Sequence, residues 1–311
     1  MTRTLVGTCS WTDKPLIQSR KFYPRGATSA DQRLWYYASQ FPIVEVDSPY
    51  YALPAPRNAE LWVERTPDDF TFDIKAFGLF TTHPVQPTRF PRDLKERLPD
   101  SVLAKRNVYA KDVPPEIVGE AWQRYNEAVR PLAESGKLGV VTFQFPPWFL
   151  PGQDSERYIV DCQERMPGWA MAVEFRNRRW LEGEQIERTL GFLKDRHISY
   201  VCVDEPQGFQ SSVPPIVEAT AAIAIVRFHG RNSGTWERRG GTSADRFDYY
   251  YERDELEEWA PAIRQLAERA EETHLLANTN NYDQGPVNAR LLQQVLLENQ
   301  IDVVGPQPRE P

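Results

Sequence analysis

Cysteine and histidine are scarce in this chain, three and four residues among 311, and each scarcity closes off a kind of chemistry. Cys9, Cys162 and Cys202 are odd in number and form no C-x-x-C pair. That pattern argues against a disulfide framework or a structural zinc site and points to a reducing cytoplasm. Four histidines are too few for a histidine-rich, multi-zinc centre. No apolar run approaches the roughly 20 residues of a membrane span, and no charged-then-apolar leader precedes the first strand. A soluble cytoplasmic protein with no membrane partner is expected. An excess of basic charge is missing too, with 37 Lys and Arg against 44 Asp and Glu and a net charge of -7. Nucleic acid is therefore a disfavoured partner, although a local basic groove would be compatible with these totals.

What the chain has is a repeated apolar run that ends in polar residues. The runs are TLVGTCSW from Thr4, IVEVDS from Ile43, FTFDIK from Phe70, VVTFQF from Val140, AMAVEFR from Ala170, YVCVDE from Tyr200, AIVRFH from Ala222 and HLLANTNN from His274. Eight strands with polar C-terminal ends predict an α/β fold, a TIM-type (β/α)8 barrel whose site lies at those ends. Helical periodicity fills the gaps from Ser29, Pro115, Glu182, Arg253 and Gly285, with a kink expected near Pro261. One domain over residues 1–304 is expected, followed by a flexible Pro-rich tail, 305–311. The stretch 82–115 is long, basic and Pro-rich and reads as a loop excursion over the mouth. Helical periodicity is weak from Glu205 to Ala219, which predicts an irregular or missing helix after strand six.

Alternation along a strand separates its two faces. Val44 and Val46 take the helix side of strand two, which turns Glu45 and Asp47 toward the barrel axis. The same count turns inward Asp73, Lys75, Gln144, Glu174, Arg176, Asp204, Arg227, His229, Asn278 and Asn280. Buried charges must pair or stay hydrated, so this set marks either a site or a salt-bridge network.

The segments carrying these residues also resemble a known family. GTCSW from Gly7, FYP from Phe22, VEVDSPYY from Val44 and RTPDDFTFDIKA from Arg65 are similar to the YecE-like family, or domain of unknown function 72. So are QFPPWF from Gln144, VEFRNRRW from Val173, RFHGRN from Arg227 and NTNN followed by GPVNA. The resemblance spans nearly the whole chain and implies a TIM-type barrel, without implying an activity. Cys9 and Ser10 stand where the resemblance leads one to expect Ser and Gly, and Asp47 where it leads one to expect Asn. Thr279 replaces an apolar residue.

The inward set supports several chemistries. Glu174 with Glu45 would make an acid/base pair for hydrolysis of a sugar-like or phosphorylated small molecule. Lys75 is a candidate catalytic lysine, or an ion-pair partner of Glu45 or Asp73. Trp11, Trp148, Trp180 and Trp236 follow strand ends, where rings either stack on a ligand or pack loops. Substrate contacts are expected from Trp11, Asp47, Gln144, Arg176, Asp204, Arg227, His229, Asn280 and Asn281. The loops after strands seven and eight, HGRNSGTW from His229 and NNYDQGP from Asn280, would approach a phosphate that Arg227 and Arg231 neutralise. No cofactor is required. Glu45, Glu174, Asp204 and His229 would suit a divalent metal such as Mg²⁺, the basis of a metal-assisted phosphoesterase or nuclease. Cys9 as a thiolate and His83 reaching the mouth complete the inventory. The alternative is a binding protein without catalysis, for a small molecule or a nucleic acid. Carboxylates locked to Arg176 and Arg227 would favour that alternative, and an open pair about 5–10 Å apart would favour hydrolysis.

Overall fold

Strands β1 (Arg3–Thr8), β2 (Ile43–Val46), β3 (Thr71–Lys75), β4 (Leu138–Gln144), β5 (Met171–Glu174), β6 (Ser199–Asp204), β7 (Ile223–Phe228) and β8 (Glu272–Ala277) pair in sequence order and close on themselves, all parallel. A computed structural model shows this for residues 2–306, apart from 239 and 241 and the Ser243 side chain. The tail expected from 305 lies outside the described residues from 307 onward. The TIM-type barrel is therefore present as predicted.

Local chemistry explains the surrounding elements. The helix Ala30–Ala38 starts at Ser29, whose hydroxyl accepts from the Gln32 amide while the Gln32 side chain accepts from the Ser29 amide. Both orphan donors of that first turn are satisfied. The helix Pro115–Glu134 buries Ile117, Ala121, Tyr125, Ala128 and Leu132 at steps of three and four. Each large side chain in that stripe contributes about 1.5–3 kcal/mol of burial. Its Tyr125 hydroxyl donates to the Lys75 carbonyl at 3.1 Å, tying the helix to the top of β3. The stretch from 205 to 222 contains no helix, as its weak periodicity predicts. The excursion 82–115 carries only short helical turns and one antiparallel bridge, Val85 to Val108. The expected kink is a break, with helices Arg253–Glu257 and Ala260–Arg269 separated just before Pro261.

The barrel interior is charged where most barrels are aliphatic. At its lower end Arg3 pairs with Glu272 at 2.7 Å, Glu272 meets His274 at 3.2 Å, and His274 meets Asp73 at 3.0 Å. His274 lies mid-strand in β8 and fully buried, although the sequence suggested a residue opening the strand. Asp73 also accepts from the Val140 amide at 3.0 Å, where the β3–β4 register shifts. Gly139 makes room for it, because a Cβ there would lie 2.3 Å from the Asp73 carboxylate.

Burial alone would lower the His274 pKa, but Asp73 and then Glu272 outweigh it and hold it up at about 9. A histidine raised in this way adds stability that is fully present below about pH 6.5. That contribution is lost as pH rises through about 9. His274→Leu should cost about 3–5 kcal/mol in urea unfolding near pH 6, by leaving Asp73 without its cation. The deficit should shrink above pH 9, and an equal deficit at every pH would contradict the charged pair.

Candidate active site at the barrel mouth

Arg227 sits at the centre of the upper barrel, fully buried, and binds two carboxylates at once. One guanidinium nitrogen donates to Glu45 at 2.6 Å and the other to Glu174. Glu174 also accepts from Gln144 Nε2 at 2.5 Å, Arg176 at 3.1 Å and His229 Nε2 at 3.2 Å. The Asn278 amide faces His229 Nδ1 at 2.7 Å and donates to it, which places the ring proton on Nε2, toward Glu174. Burial works against the Glu174 charge, but Arg227, His229 and Arg176 hold its pKa well below the usual carboxylate range. Glu45 has only a share of Arg227, so burial pushes it up to about 7. His229 is pushed down to about 4 by burial, against the pull of Glu174, and is a neutral ring at pH 7.

Above this layer opens a cavity of about 1000 Å³. Of the expected site residues, Asp47, Lys75, Gln144, Arg176 and Asn280 line it. Glu45, Glu174, Arg227 and His229 lie beneath its floor and are not among its lining. His229 reaches the cavity only through Asn278, which does line it. Lys75 pairs with neither Glu45 nor Asp73. Its ammonium meets Gln144 at 3.1 Å and Asp47 at 3.6 Å and lies 5.0 Å from the Tyr50 ring, because Arg227 and His274 already occupy the other two acids.

Four expectations need correction. Asp204 faces outward, since it is in register with Phe228, whose ring packs on Tyr251 and Trp259. Its carboxylate takes Arg231, the Tyr251 hydroxyl and Trp259 Nε1. The inward acid of that strand end is Glu205, 3.3 Å from Arg176 and raised to about 8 by burial. Trp11 is buried edge-on against Trp62 and Phe72, outside the cavity, and Trp180 stacks on Phe175 and Phe149. Only Trp148 and Trp236 reach the mouth, the latter under Arg176 at 4.5 Å. Asn281 is not part of the lining, and its carbonyl accepts from Gln284 at the start of the last helix. The phosphate site expected after strand seven is not formed, because Arg231 binds Asp204 and Glu258 and Arg227 is enclosed.

Among the described residues no three His, Cys, Asp or Glu side chains converge on a metal-sized point. The carboxylates that suggested Mg²⁺ surround Arg227 or face outward. Cys9 is buried beside Glu45, and burial followed by that charge pushes its thiol pKa well up, so it does not supply a thiolate.

Asp13 was not among the expected site residues, although it lines the cavity. Asp13 follows the end of β1, beyond Ser10, whose φ of 145° is a conformation that residues other than Gly rarely adopt. The resemblance that calls for Gly at Ser10 is explained by that backbone. Burial and then Asp47 raise Asp13 to about 7, with Ser10 pulling the other way. His83 reaches the mouth from its loop, as one of the two readings of the sequence had it, and lies edge-on to Tyr50 and Trp148 in the lining. A polar residue shortly after a strand end was the available signal for Asp13.

A family model described as "Protein of unknown function DUF72" matches residues 5–311. UPF0759 protein YunF of Bacillus subtilis is 32% identical over 309 residues, covering 98% of each chain. A DUF72 family protein from Thermotoga maritima has a TM-score of 0.74 at 27% identity, over 95% of this chain and 99% of that one. Another from Enterococcus faecalis has a TM-score of 0.77 at 23% identity over 99% of both, a likeness that shows the fold. No helix among the described residues is long and apolar enough to cross a membrane.

Replacing Arg227 with Met strands two buried carboxylates and should lower unfolding free energy by about 3–5 kcal/mol. Adding Glu45→Gln should recover part of that loss, since the two sites are coupled. Urea titration of both variants measures this. Wild-type stability in Arg227→Met would remove Arg227 as the anchor of the layer.

Proposed function

The chain belongs to the DUF72 family, and from that premise and the geometry of the mouth we propose that it is a hydrolase of a small, polar, sugar-like molecule. One observation carries the reading. Two carboxyl groups, Asp13 and Asp47, line a single polar and aromatic cavity at the end of the barrel where such enzymes do their chemistry. They are close enough for Asp47 to raise Asp13. Tyr50 and Trp148 offer aromatic surface for a sugar, and Asn280 a hydrogen-bonding amide.

In this reading Asp13 is the general acid. It gives its proton to the departing oxygen as the bond from carbon to that oxygen breaks. Asp47, paired with Lys75, takes a proton from the water whose oxygen forms the new bond. Glu174 and Glu45 are positioning residues: they hold Arg227, Arg176, Gln144 and His229, and through them the cavity floor. Binding without turnover is the second reading, favoured by the enclosure of Glu45 and Glu174 behind Arg227.

A screen of chromogenic glycosides and sugar phosphates tests the proposal. Turnover should require protonated Asp13, so kcat should fall as pH rises through about 7. Asp13→Asn should cut kcat by about 100-fold or more with unchanged thermal unfolding. Glu45→Gln should act mainly on stability. A substrate turned over by Asp13→Asn at the wild-type rate, with the same pH limb, defeats this assignment. Binding of a substrate-like ligand with no turnover selects the second reading.

A further inference from the structure

Two buried cationic groups line the mouth cavity together. Lys75 and Arg176 are both more than nine-tenths buried and both line the cavity, with His83 beside them. The acids that pair with Arg176, Glu174 at 3.1 Å and Glu205 at 3.3 Å, are not part of the lining, and Lys75 shares the cavity with one acid partner, Asp47, at 3.6 Å. Arg246 lines the rim above, and the acid acting on it, Glu237, is hydrogen-bonded to Ser211.

His83 is held for a particular use. His83 Nδ1 lies 2.9 Å from the Thr81 hydroxyl, a contact that fixes the ring in the cavity lining. The rings of Tyr50 and Trp148 flank the imidazole, and the charges acting on it are Lys75 and Arg176. We propose that Lys75, Arg176 and His83 form a subsite for a doubly charged oxyanion of the substrate, a phosphoryl group, and that His83 takes up a proton from solvent as the anion binds. The proposal rests on the mouth being the binding site and adds the charge class of its ligand.

The physical cause is direct. Burial, Lys75 and Arg176 together push His83 down to about 3, so the ring is neutral while the floor is unoccupied. An oxyanion seated between the two cations cancels most of their field, and its own charge favours the imidazolium. The charged ring is then a donor to the anion, a charge-assisted hydrogen bond added to those of Lys75 and Arg176. A singly charged carboxylate gains less from three cations than a dianion does.

Inorganic sulfate is the first probe, because it is a dianion with no proton of its own near neutral pH. Acetate stands for a carboxylate ligand and inorganic phosphate for the phosphoryl group. Imidazole nitrogen NMR of the full chain, with four histidines to resolve, reads protonation directly. His83 should be neutral without sulfate, and should carry protons on both ring nitrogens with it. Calorimetry in buffers of different ionisation heat should show matching proton uptake. Sulfate and phosphate should bind more tightly than acetate, and His83→Asn should weaken sulfate about tenfold while abolishing the uptake. Sulfate that leaves the His83 signals unchanged, or acetate bound as tightly as sulfate, overturns the subsite. Those results leave the pH limb of Asp13 untouched, so this failure is separable from failure of the hydrolytic reading.

Discussion

One guanidinium shared by two buried carboxylates organises the upper barrel. Arg227 cannot neutralise both Glu45 and Glu174, so the two acids part company. Glu174 keeps its charge because Arg176, His229 and Gln144 also donate to it, whereas burial dominates at Glu45. The winner then positions everything above it. Gln144 passes the constraint to Lys75, His229 passes it to Asn278, and Arg176 carries it up to Trp236. The cavity floor is thus a set of polar groups whose orientations are over-determined from below, which suits a site that must hold a ligand in one geometry.

Such an interior is not the most stabilising choice. Replacing a buried ion pair with apolar side chains of similar volume is often neutral or favourable, while removing one partner is costly. Here the charged groups run through the axis in two tiers, Arg3–Glu272–His274–Asp73 below and Glu45–Arg227–Glu174 above. Gly139 and the register shift at β4 accommodate the lower tier. The cost of assembling it is borne by the outer shell, where strands and helices enclose an almost unbroken apolar and aromatic layer.

The barrel, the missing helix after strand six and the inward charges of β2, β3, β5 and β7 were legible as repeats and alternation. Alternation failed in β6, where Asp204 and Glu205 are adjacent acids and both faces of the run end in one. Only pairing with β7, which sets Val203 opposite Arg227, decides between them. The role of His274 was hidden because its partner is 201 residues away in sequence. Which tryptophans reach the mouth was equally illegible, since loop paths rather than strand phase aim Trp11 outward and Trp148 over the opening. Asp13 lies beyond the periodic part of its run and carries no alternation signal.

The two tiers of carboxylates separate perturbation from access. Glu174 and Glu45 are acids that alternation singled out, yet their side chains have no exposure and do not line the cavity. A pKa displaced by a closed ring of partners reports how a fold manages a charge it has enclosed. Asp13 and His83 are perturbed by the same forces, burial and neighbouring charge, but they line the cavity. For them the field is incomplete, and a ligand can change it. A group whose electrostatic environment a ligand can alter is one through which binding becomes proton movement. In this barrel that property belongs to the mouth and stops at its floor.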